Sequence, residues 1–439
     1  MNEVFFLDGD LDKFVARVLA DKRPAHFVVC GTKPDLIKQA PILKELLRQG
    51  EKAFLIHTGQ HYDENLSGGI EKEFGLKVDV NLKVSGGSLT ENISNIILRA
   101  GKIFETIKVK NPELLVLTYV HGDTTTCFSL STASFSHGYP SVHIEAGIRT
   151  MMIKKEVLND FDFENFDFVS WQNVCANPQN FSRGSHEPFP EQFNTRATEA
   201  GSGLFFAPVS ESAENLVNEG FPQSRIFTVG NSIVDAVNFV EEIDSDIFEQ
   251  FPKLKNGFIR FCVHRRENTE NKDRFEKLFE TVEQLSIQSK NPILWILLPG
   301  TKSAIQRFGF ESRFEKLKQQ ENIILSDVWS KYSDVMAAMK HCLLCATDSG
   351  SMQEEMNLLQ IPCATLRFGS DRAETFFTKS NILCPIIEAK LMVKILLDSQ
   401  RNSEKFEFPS IYGENVSEQI VDNVQTFLKE GSDLLRLNP

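Results

Sequence analysis

The stretch VHIEAGIRT, residues 142–150, places Glu145 where a buried strand should be ending. Its spacing of two from His143 points both side chains the same way in an extended segment. An unpaired carboxylate there would carry a desolvation cost and a raised pKa, the property of a general acid or base working near neutral pH. The structural alternative is a pairing with Arg149. A second carboxylate, Asp123, stands in His121-Gly122-Asp123 ahead of Thr124, Thr125 and Thr126. It is either a helix N-cap or, since any of those threonines could cap, free for other work. His264-Arg265-Arg266-Glu267 stacks three potential cations after a buried strand. That run suits the neutralisation of a departing diphosphate, with an exposed salt-bridged turn as the alternative.

Two helix starts offer further anion-binding chemistry. In Gly31-Thr32-Lys33-Pro34-Asp35 a glycine permits close backbone approach, first-turn amides favour an anion, and Lys33 adds charge. A plain strand-to-helix turn with proline at the helix start reads the same residues without a ligand. The glycine-lysine-serine/threonine ending of a Walker A loop is missing. Asp348-Ser349-Gly350-Ser351 opens another helix, and a carboxylate one to two turns in could hold ribose hydroxyls. The sequence has neither a Gly-x-Ser-x-Gly elbow nor a His-Glu-x-x-His metal pair.

These residues need elements that hold them. From residue 26, short apolar runs (HFVVCGT, KAFLIHTGQH, ELLVLTYVHGD, PSVHIEAG) alternate with helical segments. That alternation predicts a parallel sheet covered on both faces. It restarts with RIFTVGN, GFIRFCVHRREN, NPILWILLPG, ENIILSD, HCLLCATDSG and IPCATLRF. The prediction is an α/β protein of two doubly wound domains facing a cleft. Residues 1–230 form the first domain, completed by an amphipathic helix over 415–435, and residues 231–414 form the second. Ligands of such sheets sit beyond the carboxyl ends of the strands, where the candidate residues cluster. Residues 151–189, rich in Phe, Asp and Asn, interrupt the rhythm with a connection too long for a compact domain. They read as a surface insertion, such as a dimer contact with the Phe residues as a small core, or as a lid over the cleft.

Composition narrows the function classes. At 439 residues two or three domains are expected, and a net charge of −13 argues against a nucleic-acid partner. It leaves a phosphate-bearing small molecule open. The eight cysteines sit mostly in apolar runs, including the Cys342–Cys345 pair, so core packing and a reducing compartment are expected and no metal site. The N-terminus reads as no secretory signal, and no run reaches the roughly 18 apolar residues that span a bilayer. The expectation is a cytoplasmic protein with no membrane partner.

GTKPDLIKQAP, TGQHYDENL, VHGDTTT, VHIEAGIRT, FPEQFNTR, VGNSIVDA, HRREN and TDSGSMQEE occur in the order seen in the UDP-N-acetylglucosamine 2-epimerase family. The chain resembles that family from about residue 26 to about 430, interrupted at 151–189. The resemblance implies the GT-B arrangement of two Rossmann-like halves, with a C-terminal helix returning to the first. It implies inversion of carbon 2 of a UDP-sugar with no cofactor and no metal, through loss of UDP to a glycal. A non-hydrolysing member adds UDP back and supplies UDP-N-acetylmannosamine-type sugars for surface polysaccharide. A hydrolysing member releases N-acetylmannosamine and UDP; TGQHYDENL favours the former. A homodimer is expected.

By the same resemblance the catalytic residues are Asp123, Glu145, Glu191 and His264. UDP falls to Lys33, Arg265, Ser349, Gly350, Ser351 and Glu355. Lys38, Gln60, His61, His121, Arg149, Asn194, Arg196 and Arg372 are further candidates. Lys33 stands for an arginine, keeping the charge and losing the bidentate fork. Gln192 stands for a carboxylate, Thr195 for an arginine, Val263 and Ser351 for glycines. The nucleotide end therefore looks nearly intact and the sugar end remodelled, which suits a different or bulkier UDP-sugar or altered partitioning of the glycal. A GT-B glycosyltransferase, and a nucleotide-binding protein without activity, share the fold and stay open as alternatives.

Overall fold

The computed structural model describes residues 11–60, 68–241, 243–430 and 433–434. Its first sheet holds seven strands side by side in the order Val80–Asn81, Lys52–His57, Ala25–Cys30, Val116–His121, Ser141–Ile144, Ser202–Ala207 and Ile226–Thr228. All of these pair parallel. Every residue of Ala25–Cys30, Val116–His121 and Ser202–Ala207 is buried, as strands covered on both faces must be. The second sheet runs Ile323–Ser326, Ile293–Ile296, Phe258–Cys262, Cys342–Thr347, Cys363–Thr365 and Asn381–Leu383, again all parallel. The molecule is thus two doubly wound α/β halves.

Each sheet reverses its strand order at one point, between Ala25–Cys30 and Val116–His121 in the first and between Phe258–Cys262 and Cys342–Thr347 in the second. Connections leave in opposite directions there and open a crevice at the strand ends. Gly31 and His121 stand at one crevice, His264 and Asp348 at the other. The C-terminal helix Val416–Lys429 returns to the first half. Its Val416, Ile420, Val421 and Val424 share a core with Leu36 and Leu43 of helix Lys33–Arg48, and Gln49 Nε2 donates to Asp422 at 2.8 Å.

Two local features depart from the sequence reading. Ile226–Thr228, which looked like the start of the second series, is the edge strand of the first sheet. The edge strands Val80–Asn81 and Asn381–Leu383 have only two and three residues, too few for periodicity to register. Within the 151–189 segment, residues 160–168 form no strand. Asp162 accepts from the Asn165 amide at 3.1 Å, and Asp167 caps the helix Phe168–Ala176 by accepting from Ser170 N at 2.8 Å. Local side-chain-to-backbone bonds thus outcompete a ladder here.

Residues 151–189 are neither a separate surface insertion nor a free lid. Met151–Ile153 pairs antiparallel with both Gly369–Ser370 and Phe181–Ser182, forming a third, three-stranded sheet. Phe166, Phe168, Trp171, Cys175 and Phe181 enter the core of the second half beside Ala364, Phe376 and Leu383. Trp171, fully buried, donates from Nε1 to the Leu383 carbonyl at 2.7 Å, with the rings of Phe161 and Phe163 at 4.8 and 5.0 Å.

Candidate functional site

Glu145 follows the last residue of strand Ser141–Ile144 and takes a left-handed backbone conformation, φ 59°. The two-residue alternation therefore ends at Ile144. His143 spends its Nε2 on the Gly122 carbonyl at 2.7 Å, while Glu145 turns to a charged cluster. One Glu145 oxygen meets Lys38 and accepts from Asn231 Nδ2 at 2.5 Å; the other accepts from Arg372 at 3.1 Å. Glu354 sits on the same cations, accepting from Lys38 at 2.6 Å, from Asn231 at 2.9 Å and from Arg372. His121 Nε2 lies 3.8 Å from Glu145.

This overturns the expectation of an unpaired Glu145. Burial alone would raise its carboxyl, but Lys38 and Arg372 outweigh burial and hold it well below the ordinary carboxylate range. Arg149 takes no part. It forks onto Glu219 at 2.9 and 2.6 Å and onto Glu199, and Arg196 joins Glu219 at 3.1 Å. Burial leaves His121 neutral, its value falling to about 3.

Asp123 behaves in the opposite way. Thr124, not Asp123, caps helix Thr125–Ser136 by accepting from Cys127 N. Asn194 Nδ2 donates to the Asp123 backbone carbonyl at 3.0 Å. Burial and the neighbouring charge of Glu191 raise the Asp123 carboxyl to about 7. Glu191, at the start of helix Glu191–Glu199, accepts from Arg265 Nη1 at 2.6 Å, and Arg265 also faces Asp371 at 3.7 Å. A Cβ on Gly350 would stand 2.8 Å from an Asp371 oxygen, so this crossing is tight.

On the second half His264 Nδ1 lies 3.0 Å from Asp348. Burial works against a charged ring, but Asp348 outweighs it and takes His264 up to about 9. Arg265 points into the site, whereas Arg266 turns outward to Glu270 at 2.9 Å. Ser349 precedes helix Gly350–Leu358, on whose first turn Ser351 stands. Glu355, buried, accepts from the Tyr332 hydroxyl at 2.8 Å, and burial raises its carboxyl to about 7. Lys33 reaches across to the Trp329 carbonyl, and burial lowers it to about 8.

The Gly31–Asp35 turn differs from the anion site expected of it. Asp35 itself accepts from the amides of Gly31 at 3.3 Å and Thr32 at 3.2 Å, in a capping box with Thr32. Gln60 accepts from Thr126 at 3.1 Å. His61 lies outside the described residues.

Sequence reasoning missed Asn231, Glu354 and Asp371 as members of the cluster. Asn231 lay within VGNSIVDA and Glu354 within TDSGSMQEE, so both were in view as motif letters; their partners lie 86 and 316 residues away. The capping role of Asp35 had a local signal, Thr32 three residues before an acid. The cysteines are all buried. Among the described residues no group of three or more His, Cys, Asp or Glu could hold a metal ion, and no helix is long and apolar enough to cross a membrane.

The profile of a family described as UDP-N-acetylglucosamine 2-epimerase matches residues 44–183 and 181–425. A UDP-N-acetylglucosamine 2-epimerase of Methanococcus maripaludis is 29% identical over 405 residues, covering 90% of this chain and 97% of the relative. A UDP-2,3-diacetamido-2,3-dideoxy-D-glucuronate 2-epimerase of Pseudomonas aeruginosa is 26% identical, over 81% of this chain and 86% of the relative. A crystal structure of the Methanocaldococcus jannaschii UDP-GlcNAc 2-epimerase, in complex with UDP-GlcNAc and UDP, superposes with a TM-score of 0.75 at 25% identity. It covers 92% of this chain and 99% of its own.

Proposed function

The chain belongs to the UDP-N-acetylglucosamine 2-epimerase family, and from that premise we propose that it inverts carbon 2 of UDP-N-acetylglucosamine or a close UDP-2-acetamido sugar without hydrolysis. A carboxylate removes the carbon 2 proton as the bond from carbon 1 to the diphosphate oxygen breaks, giving a glycal and UDP. The diphosphate oxygen then adds back to carbon 1 while a proton is delivered to the opposite face of carbon 2. Atoms and charge balance without a further reagent.

The observation that carries this reading is the convergence of Asp123, Glu145 and Glu191 from the first half onto Arg265 and Arg372 of the second. Asp123, with its carboxyl near 7 beside Glu191, suits proton transfer at neutral pH. Glu145, held ionised, suits orienting Lys38 and Arg372 and supporting the positive charge that develops at carbon 1. His264, with Arg265 and Lys33, neutralises the leaving diphosphate; the Ser349–Ser351 turn takes phosphate oxygens and Glu355 the ribose. Residues 1–230 with the C-terminal helix carry the sugar chemistry in this scheme, and residues 231–414 carry UDP.

The buried free thiols fit a reducing cytoplasm. Phe135 and Phe193, exposed on helices Thr125–Ser136 and Glu191–Glu199, fit a homodimer surface. The product is UDP-N-acetylmannosamine or its counterpart, a precursor for surface polysaccharide. Incubation with UDP-N-acetylglucosamine followed by nuclear magnetic resonance of the products tests the reading. An equilibrium mixture of two UDP-sugars is expected; free UDP with N-acetylmannosamine would place the enzyme in the hydrolysing branch instead.

A further inference from the structure

The 151–189 segment leaves the first half and returns to it at one place, because the Thr150 amide donates to Gln192 Oε1 at 3.2 Å. Between these ends its apolar side chains pack into the second half's core. Its placement there is specific. Strand Met151–Ile153 pairs with Gly369–Ser370, and Ile153 N donates to the Phe368 carbonyl at 3.0 Å. A Cβ on Gly369 would stand 2.3 Å from the Met151 carbonyl oxygen, so the two backbones touch. Asp371 and Arg372 come next in the chain. Arg372 N donates to Ser370 Oγ at 2.8 Å, and Ser370 Oγ to Gln353 at 2.6 Å. Helix Glu374–Phe377 follows, and Phe181 stacks on Phe376 at 5.8 Å and meets Phe377 edge-on at 5.8 Å. The turn bearing Arg372 is therefore gripped upstream by a ladder and downstream by aromatic packing.

We propose that residues 151–189 are an interdomain tie that positions Arg372 against Glu145 and restrains the two halves from parting during the reaction. The tie starts six residues after Glu145 and ends two residues before Glu191, so both carboxylates sit at its roots. Two domains joined only by a modest polar interface move relative to one another by default. A core shared between the tie and the second half makes that motion costly, because opening would strip Trp171 and Phe181 from their packing or pull Gln192 from Thr150. Keeping the halves together keeps UDP beside the glycal until it adds back. This role rests on the epimerase reading, although the tie itself is a statement about motion.

Phe181→Ala, Phe181→Leu and Gly369→Ala test it with two readouts, hydrogen exchange over residues 369–377 and the fraction of turnovers that end in free UDP. Phe181→Ala should speed exchange there and raise the free-UDP fraction about tenfold, with Phe181→Leu returning both towards the parent values. A lesion that only destabilised the fold would lower turnover without changing that fraction. If Phe181→Ala does not fold, Gly369→Ala, which forces the ladder apart from the other side, decides the same two readouts. Unchanged exchange and unchanged partition in a folded variant overturn the tie. Should the parent protein convert no UDP-sugar, the epimerase reading fails while the exchange at 369–377 still decides the tie.

Discussion

Asp123 and Glu145 end neighbouring strands of one sheet, yet their surroundings push them in opposite directions. Asp123 is buried beside Glu191 and rises to about 7, while Glu145 is bracketed by Lys38 and Arg372 and stays ionised. That division assigns proton transfer to the first and charge placement to the second. Asp123→Asn should lower kcat about a hundredfold or more with little change in UDP affinity, read by steady-state kinetics and calorimetry. With Asp123 near 7 and His264 near 9, kcat/KM should rise through about pH 7 and fall through about pH 9. The lower limb belongs to the Asp123–Glu191 pair rather than to one residue. His264 also links pH to stability. Its folded value of about 9 lies above its ordinary 6.5, so its contribution is complete below 6.5 and is lost as pH rises through 9. Chemical denaturation between pH 6 and 10 should show that loss, and His264→Gln should remove it.

At the scale of elements, the switch points do most of the placing. Gly31 ends the first strand where a Cβ would come within 1.9 Å of Thr126 Oγ1 and 2.5 Å of Thr58 Oγ1. Gly31→Val should therefore lower the melting temperature and disturb Gln60, which bonds to the same Thr126. Arg149 anchors helix Glu191–Glu199 to the strand end through Glu199, whose side chain is completely buried. Arg149→Met would leave that charge uncompensated and should cost about 3–5 kcal/mol in denaturation experiments. The alternation of strands and helices and the strand-end address of the candidate residues were legible because apolar runs and helical spacing are local signals. Arg149 shows where legibility stops. Its partners lie 50 and 70 residues away, and the pairing with Glu145 that the sequence offered does not form. Glu354 was equally out of reach, because its partners Lys38 and Arg372 come from different halves of the chain.

For the molecule as a whole, two α/β halves meet through charge at the strand ends and through an apolar tie beside them. The tie's composition announced an interruption, yet nothing local in it specified the second half as its partner; Trp171 reaches Leu383 across 212 residues. The remodelled residues have a physical place in this scheme. Gln192, which the family resemblance reads as replacing a carboxylate, closes the tie on Thr150. The central claim, reversible removal of the carbon 2 proton, is tested most directly in deuterium oxide with UDP-N-acetylglucosamine and a mass-spectrometric count of solvent deuterium. Deuterium at carbon 2 of both recovered UDP-sugars, strongly reduced in Asp123→Asn, is the predicted result. Turnover of the UDP-sugar with no deuterium at carbon 2 would contradict the account and point to simple glycosyl transfer.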